Sequence, residues 1–377
     1  MEKRKVLCGI DRISDADKFL RGNKIALLTA ASGVNKEGIP TYEILSRKYR
    51  LEALFAPEHG LYSALQAGGF DSDKSEKDSE SGAYVYNLTG NGHPRLDGII
   101  SDIDIAVYDI QDVGARFYTY LCNLTQIMRA CAKNKKPLLV LDRPSPCTGL
   151  LCEGALLDES RFSSFIGEFS IPIRYAMTVG EYAEYVNVEK NIGCELYVLA
   201  CEGWHRDMYY DDSDLLFVNP SPNIPSVDCI LNYYGSCIYE ATNISEGRGT
   251  TRPFDMVGAP FVDSKSLYDE MRSYGLPGVI FRRVSFTPRF NKYAGEVCHG
   301  LQLHITDRNA YRPVLTMMYM LNIFRRYKEY REDVRGICLR FGNGDIIGEF
   351  DPEIVYGKYT EKISEFLSAR EKYLLYS

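Results

Sequence analysis

The stretch LEALFAPEHGLYS, residues 51–63, places a carboxylate and an imidazole side by side where an apolar run ends. Pro57 and Gly60 enclose Glu58 and His59, which predicts a tight turn directly after a buried strand. The apolar strand beneath would partly desolvate Glu58, and desolvation raises the pKa of a carboxyl group. A carboxylic acid that keeps its proton near neutral pH can serve as a general acid. Glu58 is therefore a candidate catalytic acid, with His59 either a substrate-binding neighbour or a structural histidine.

Polar residues also follow the predicted strands that end near residues 29, 109 and 142. Because the carboxyl ends of parallel strands lie at one edge of a sheet, where ligands bind, we expect these residues to converge there. Each also has a local explanation, since an aspartate can terminate a strand or cap the helix that follows. The candidates at this edge are Asp109, Asp112, Arg116, Asp142 and Arg143, and Tyr118 is a further candidate for substrate binding.

Two stretches in the second half of the chain suit a polar ligand. VNPSPNIPS, residues 218–226, has a proline spacing that predicts an extended, rigid wall, and it contains Asn223. EATNISEGRGTTRPF, residues 240–254, sets Glu246 and Arg248 among glycines, which allow close backbone approach to a ligand. The alternative is a glycine-rich connection with a Glu–Arg surface pair, which contributes little energy.

The composition excludes several classes of function. The net charge of −7 over 377 residues, with no dense Lys/Arg stripe, argues against a nucleic-acid partner. No apolar run reaches the length of a membrane span or forms a signal peptide, so we expect a cytoplasmic protein without a membrane partner.

The eleven scattered cysteines contain no CxxC pair, which indicates reduced thiols rather than a metal site. Nucleotide-binding GxGxxG and P-loop patterns and the GxSxG hydrolase motif are absent from the sequence, and we expect no cofactor.

Apolar strands alternate with amphipathic helices over residues 24–146, which predicts a Rossmann-like, mostly parallel sheet flanked by helices. After residue 146 the rhythm changes, and strands are predicted over 194–204, 278–286 and 300–307. The fold class is therefore α/β, with a second, smaller α/β domain. We place the domains at residues 1–155 and 156–377, with the active-site cleft between them. The Ser/Asp/Lys/Glu run at 70–82 is predicted to be a solvated loop or lid.

Six motifs occur in one order along the chain: PEHG, YDIQDVGARFYTY, LDRPSP, IPIRYAMTVGEYA, PSPNIPS and EGRGTTRPF. In this the chain resembles the NamZ-type exo-β-N-acetylmuramidases, once known as a domain of unknown function. The resemblance implies a Rossmann-like first domain, a smaller second domain and removal of N-acetylmuramic acid from the non-reducing end of peptidoglycan fragments. It also implies that Glu58 is the key glutamate. Two residues depart from the family pattern: Tyr175, where the family usually has histidine, and Ala241, where it usually has glycine, and these departures permit a different sugar specificity.

Hydrolysis of a glycosidic bond uses an acid and usually a second carboxylate. Glu246 is the preferred second group, with Asp109 and Asp112 as competitors, and the 2-acetamido group of the sugar itself as a further alternative nucleophile. N-acetylmuramic acid carries a lactyl carboxylate, which an arginine would recognise in bidentate fashion. The candidates are Arg116, Arg143, Arg174 and Arg248. The alternative functions are a glycosidase for another sugar and a non-catalytic cytoplasmic carbohydrate-binding protein.

Overall fold

Ten strands form two sheets in the computed structural model, which describes residues 3–66, 76–90 and 92–377. The larger sheet has seven strands in the order β3-β4-β2-β1-β5-β6-β7, and the smaller has three in the order β8-β10-β9. The strands are β1 Lys24–Thr29, β2 Arg50–Ala56, β3 Glu76–Lys77, β4 Tyr84–Asn87, β5 Ile105–Asp109, β6 Leu138–Leu141, β7 Leu196–Leu199, β8 Met256–Ala259, β9 Val279–Phe286 and β10 Cys298–Ile305.

The seven-stranded sheet is parallel except at one edge, where β3 pairs antiparallel with β4. Every residue of the central strands β5 and β6 is buried, which is the pattern of a parallel sheet covered on both faces. The predicted α/β fold class is therefore confirmed. Within the described ranges the α-helices are α1 Asp17–Leu20, α2 Thr41–Lys48, α3 Leu96–Asp102, α4 Tyr120–Asn134, α5 Glu159–Phe162, α6 Val179–Glu189, α7 Val227–Ser236, α8 Ser264–Ser273, α9 Pro313–Arg325, α10 Val334–Phe341 and α11 Pro352–Arg370.

Three helices pack against the large sheet. α2 packs against β1 and β2, while α4 and α6 pack against each other and against β5, β6 and β7. Thr178 caps α6: its hydroxyl accepts a hydrogen bond from the Glu181 amide, and the Glu181 carboxylate accepts one from the Thr178 amide. This reciprocal capping box fixes the first turn of the helix.

One strand belongs to a different sheet than the sequence indicates. The strand predicted within 194–204 was assigned to the second domain, but β7 pairs in parallel with β6 and forms an edge of the large sheet. The large sheet therefore uses chain well beyond residue 155. The segment between Pro146 and β7 has little regular structure apart from α5 and α6. The regular strand–helix alternation is therefore interrupted, and the sequence does not indicate that β7 pairs with β6.

The small sheet is antiparallel throughout, with β9 and β10 joined as a hairpin and β8 paired to the other side of β10. α8 packs against β9 and β10, and α7 packs against α9. Part of the predicted loop 70–82 lies outside the described residues, namely 70–75. Residues 76–77 form β3, which pairs with β4. The polar composition of the segment gives no indication of this strand.

None of the helices in the described part of the chain is long and apolar enough to cross a membrane. Nor do the described residues contain a group of three or more His, Cys, Asp and Glu side chains arranged to hold a metal ion. All eleven cysteines are free thiols, and ten of them are buried.

Candidate active site

A cavity of about 490 Å³ lies between the carboxyl edge of the large sheet and the part of the chain that carries the small sheet. This volume is within the range of about 300–1,000 Å³ typical of small-molecule sites. The residues that line it are Glu58, His59, Gln66, Phe117, Tyr118, Thr119, Ile166, Ser221, Ile224, Tyr233, Glu240, Glu246, Arg248, Phe254, Phe290, Asn291, Lys292 and Arg340.

Glu58 enters the cavity from the turn that follows β2. The Gly60 amide donates to the Pro57 carbonyl at 2.9 Å, and Gly60 has a φ of 81°, so the predicted tight turn is present. The Glu58 side chain is half-buried, and its Oε2 accepts a hydrogen bond of 3.3 Å from the hydroxyl of Thr119. One carboxylate oxygen is thus oriented by Thr119 while the side chain faces the cavity.

His59 is buried beside Glu58, and its Nδ1 lies 2.8 Å from the carbonyl oxygen of Leu65. A carbonyl can only accept, so Nδ1 carries the proton. Burial lowers the pKa of His59 below its usual 6.5, which keeps the ring neutral at physiological pH. Its Nε2 is then an acceptor for a hydroxyl or a protonated carboxyl group.

Glu246 lies at the base of the cavity with 1% of its surface exposed. Lys292 Nζ contacts its Oε2 at 2.8 Å, Arg248 Nε lies 3.4 Å from Oε1, and the Asn291 amide donates to Oε1 at 3.3 Å. Lys292 also donates to the carbonyls of Tyr239 and Ile244. A carboxylate held between two cations suits a base, a nucleophile or a stabiliser of positive charge rather than a proton donor.

Glu240 connects two guanidinium groups on the same wall. Arg248 donates to Glu240 Oε1 through Nε and Nη2, at 3.1 and 2.6 Å, and Arg340 Nη2 donates to Oε2 at 3.0 Å. Burial alone would raise the pKa of Glu240, but Arg248 and Arg340 lower it below the usual value. Burial lowers the pKa of Arg248, and the Glu240 carboxylate raises it. On balance, the pKa of Arg248 lies above its usual value. This wall therefore presents fixed charges to anything bound.

The glycines around Arg248 serve the protein's own backbone rather than a ligand. Gly247 and Gly249 have φ values of 80° and 81°, in the left-handed region. A Cβ at Gly249 would lie 2.5 Å from the carbonyl oxygen of Phe290, and one at Gly247 would lie 2.8 Å from that of Arg252. Gly249 thus packs against the β9–β10 hairpin loop, which carries Asn291 and Lys292, while Gly247 packs against the backbone of Arg252 and Met256.

Two of the predicted binding residues form a buried ion pair outside the cavity. Asp109 and Arg143 are bidentate, with Nε–Oδ1 at 2.5 Å and Nη2–Oδ2 at 2.8 Å, and they are 0% and 3% exposed. Arg143 also donates to the Val34 carbonyl, and the Thr41 hydroxyl donates to Asp109. Their charges cancel, so the carboxyl edge of β5 and β6 is filled by the protein itself. Asp109 therefore does not compete with Glu246.

Asp112 is also buried away from the cavity. Its Oδ1 accepts from the Tyr175 hydroxyl at 2.5 Å and from the Gly114 amide at 2.7 Å. Tyr175, one of the departures from the family pattern, thus serves a structural contact rather than the edge of the site. Burial raises the pKa of Asp112 to about 7, although these hydrogen bonds oppose the rise.

Arg116 and Arg174 bind main-chain carbonyl groups instead of facing a ligand. Arg116 donates to the carbonyls of Ala155, Ile171 and Arg340, and burial lowers its pKa to about 9. Arg174 donates to the Cys147 carbonyl and lies over the Tyr234 ring. Both guanidinium groups tie neighbouring loops together. Of the four arginines proposed for the lactyl group, the structure therefore brings Arg248 alone to the cavity wall.

Asn223 contributes indirectly. Its side-chain amide donates to Gln66 Oε1 at 2.8 Å, and Gln66 lines the cavity, as do Ser221 and Ile224. The PSPNIPS stretch thus forms part of a wall as predicted, although it includes a turn in which the Ile224 amide donates to the Ser221 carbonyl. Glu58, His59, Tyr118, Glu246 and Arg248 are the sequence-predicted residues that line the cavity directly.

Three charged residues of the cavity were missed. Glu240 opens the stretch from which Glu246 and Arg248 were chosen, so a second glutamate was available as a signal. Lys292 and Arg340 lie in a hairpin loop and in α10, where nothing in the sequence distinguishes them from surface cations. Lys292 and Arg340 reach the cavity because the hairpin loop and α10 pack around Glu246 and Glu240.

The buried Asp112 carboxyl predicts a pH-dependent stability. Its raised pKa means that the folded chain keeps a proton that the unfolded chain loses above about pH 4, so its contribution to the unfolding free energy falls as pH rises to about 7. Asp112→Asn removes this loss. We expect the stability of the variant relative to the wild type to rise by about 2–3 kcal/mol between pH 5 and pH 8, because about two pH units of the titration lie above pH 5.

Urea unfolding at the two pH values measures this difference. Asp102→Asn, an exposed position at the end of α3, is the matched control. A difference between wild type and Asp112→Asn that stays the same at both pH values would contradict the assignment. Activity should be retained, because Asp112 does not line the cavity.

Two family models match consecutive parts of the chain. The N-terminal model of the exo-β-N-acetylmuramidase NamZ covers residues 25–228, and the C-terminal model covers residues 231–376. The chain belongs to the NamZ family. The two models meet near residue 230, just after the start of α7.

Known proteins similar to this NamZ-family chain cover its whole length. It is 40% identical to the peptidoglycan β-N-acetylmuramidase NamZ of Bacillus subtilis (strain 168) over 100% of this chain and 92% of that protein. A crystal structure of a DUF1343 family protein from Bacteroides fragilis NCTC 9343 matches with a TM-score of 0.89 at 32% identity. A second such protein from the same organism matches with a TM-score of 0.80 at 26% identity, and both matches cover 99% of each chain.

Proposed function

We propose that this chain is an exo-β-N-acetylmuramidase that removes N-acetylmuramic acid from the non-reducing end of peptidoglycan fragments. The observation that carries the proposal is the placement of Glu58 in one cavity with the cation-paired Glu246 and the paired guanidinium groups of Arg248 and Arg340. The membership of the NamZ family supports it. A cavity with both carboxylates and cations suits a sugar that itself carries a carboxylate.

Glu58 is the proposed acid, which protonates the glycosidic oxygen as the bond to the anomeric carbon breaks. It is half-buried, and Thr119 orients one of its oxygens. The His59 ring beside it is neutral, so it does not form an ion pair with Glu58. These features support the choice of Glu58 over the fully paired carboxylates of the cavity.

Glu246 is the proposed second carboxylate. Its buried, charged oxygens are suited to stabilise an oxocarbenium-like centre or to position an attacking group. Lys292 and Asn291 fix the carboxylate from the hairpin side, so its orientation is set before substrate binds. Preorganised charge of this kind needs no rearrangement during the reaction.

Arg248 is the proposed partner of the lactyl carboxylate, with Arg340 next to it on the wall. Both are anchored by Glu240, and Arg248 also packs over the Phe254 ring at 5.0 Å. A guanidinium that is already held in place loses little conformational entropy when it binds a carboxylate. This arrangement would favour a muramic acid over a sugar that lacks the lactyl group.

The direct test is turnover of a panel of nitrophenyl glycosides, together with the disaccharide in which N-acetylmuramic acid is β-linked to N-acetylglucosamine. Release from the muramic acid substrates alone is the expected result. Release from another sugar would make the chain a glycosidase of different specificity. Binding of muramic acid without release would make it a carbohydrate-binding protein.

Replacing Arg248 should separate recognition of the lactyl group from recognition of the sugar ring. We expect Arg248→Met to weaken competitive inhibition by N-acetylmuramic acid by about 10- to 100-fold, as loss of a charge-assisted hydrogen bond does. Inhibition by N-acetylglucosamine should change by less than about threefold, because that sugar has no carboxylate for Arg248 to bind.

Arg252→Met is the control, since Arg252 follows in the same loop but is exposed and paired with Asp255. Thermal unfolding of both variants reports any damage to the fold. Equal weakening of both sugars by Arg248→Met would assign the arginine a structural role.

The proposed substrate is a muropeptide or another peptidoglycan fragment, and the proposed location is the cytoplasm. Eleven free thiols, ten of them buried, support a reducing compartment. We also propose that the division between the two parts of the chain lies near residue 230, where the family models meet.

A further inference from the structure

The rim of the cavity contains one aromatic ring that differs from the others. The others that line the cavity, Phe117, Tyr118, Tyr233 and Phe254, are 5%, 5%, 6% and 0% exposed and form its base and walls. Phe290 is 40% exposed. Of the exposed large hydrophobic side chains in the described ranges, it is the one that lines the cavity.

The backbone that carries Phe290 is held on both sides, although the ring is exposed. It lies in the loop between β9 and β10, residues 287–297, next to Asn291 and Lys292. The Arg289 amide donates to the Gly249 carbonyl at 2.8 Å, and the Tyr293 hydroxyl donates to the Asn243 carbonyl at 2.7 Å. Contacts on both sides therefore fix the backbone that carries the ring, so little entropy is lost when a ligand covers it.

Phe290 is also close to the reacting centre. Asn291 and Lys292, the two residues that follow it, both hydrogen-bond the Glu246 carboxylate. A group stacked on Phe290 would therefore lie at the mouth of the cavity, next to the residues that hold the Glu246 carboxylate at its base. An enzyme that removes a terminal sugar holds that sugar inside and lets the rest of the chain leave through the mouth.

We propose, on the basis of the proposed function, that Phe290 is the stacking platform for the sugar on the reducing-end side of the scissile bond. A β-linked N-acetylglucosamine has equatorial substituents, so the faces of its ring present axial C–H groups. These weakly positive hydrogens match the negative face of an aromatic ring. Phe290 is then a specificity-determining residue that favours a glycan leaving group over a small one.

The test measures binding in a Glu58→Gln background, which suppresses cleavage. Calorimetric titration compares the disaccharide of N-acetylmuramic acid and N-acetylglucosamine with N-acetylmuramic acid alone. We expect Phe290→Ala to weaken binding of the disaccharide about tenfold, from the apolar contact that is lost. Binding of the monosaccharide should change by less than about twofold.

Phe290→Tyr should retain disaccharide affinity, because it keeps the ring. Val297→Ala, an exposed apolar position in the same loop, is the matched control and should change neither affinity. Equal weakening of both ligands by Phe290→Ala would overturn the platform, as would unchanged disaccharide binding. Failure of the Glu58→Gln protein itself to bind N-acetylmuramic acid would overturn the proposed function, and the platform with it.

Discussion

Glu58→Gln is expected to lower kcat for cleavage of the N-acetylmuramic acid–N-acetylglucosamine disaccharide by on the order of 10²–10⁴-fold, the usual contribution of a general acid. The amide keeps the size of the side chain and can still accept the Thr119 hydrogen bond. It cannot donate a proton to the leaving oxygen. The measurement is steady-state kinetics with the wild type and the variant.

A change of leaving group makes this prediction specific. A dinitrophenolate departs without protonation, so the same variant should lose much less activity on dinitrophenyl N-acetylmuramide than on the disaccharide. Equal losses on the two substrates would indicate that Glu58 is not the acid. Glu52→Gln, which alters an exposed carboxylate on the same strand β2, should leave both rates unchanged.

The second large effect is expected at Glu246. Glu246→Gln should lower kcat by on the order of 10²-fold or more, because it removes the preorganised negative charge at the base of the cavity. Lys292 would keep its two carbonyl acceptors, Tyr239 and Ile244, so the hairpin loop should remain in place. The loss should therefore appear in kcat for all leaving groups, unlike the loss at Glu58.

Two controls separate chemistry from folding at this position. Glu296→Gln changes an exposed carboxylate in the same loop and should leave kcat unaltered. Thermal unfolding of Glu246→Gln, together with calorimetric binding of N-acetylmuramic acid, tests whether the fold and the binding site persist. A variant that keeps its unfolding temperature and its sugar affinity, and still turns over at near the wild-type rate, would remove Glu246 from the mechanism.

These two glutamates were accessible from the sequence for different reasons. Glu58 is fixed by its neighbours along the chain: the buried strand β2, Pro57 and Gly60 together specify a turn that presents the side chain at a sheet edge. Glu246 was chosen because glycines surround it. Its neighbours Gly247 and Gly249 do permit an unusual backbone conformation, and Gly249 allows the close approach of the hairpin loop.

The buried charges show where pattern reasoning fails. Asp109, Asp112, Arg116 and Arg143 lie at the predicted sheet edge, yet none lines the cavity. A sequence shows which residues follow a strand but not whether the next layer of the protein covers them. Here Asp109 and Arg143 neutralise each other in the interior, and removing one partner of such a pair typically costs about 3–5 kcal/mol.

Patterns along the chain were sufficient to predict the features that depend on local periodicity: the parallel sheet, its flanking helices and the turn that carries Glu58. The tertiary structure alone decided which charges meet. Glu240, Arg340 and Lys292 come from three separate elements, and their ion pairs join residues up to 100 positions apart. Such contacts arise from packing between distant segments, and no spacing along the chain encodes them.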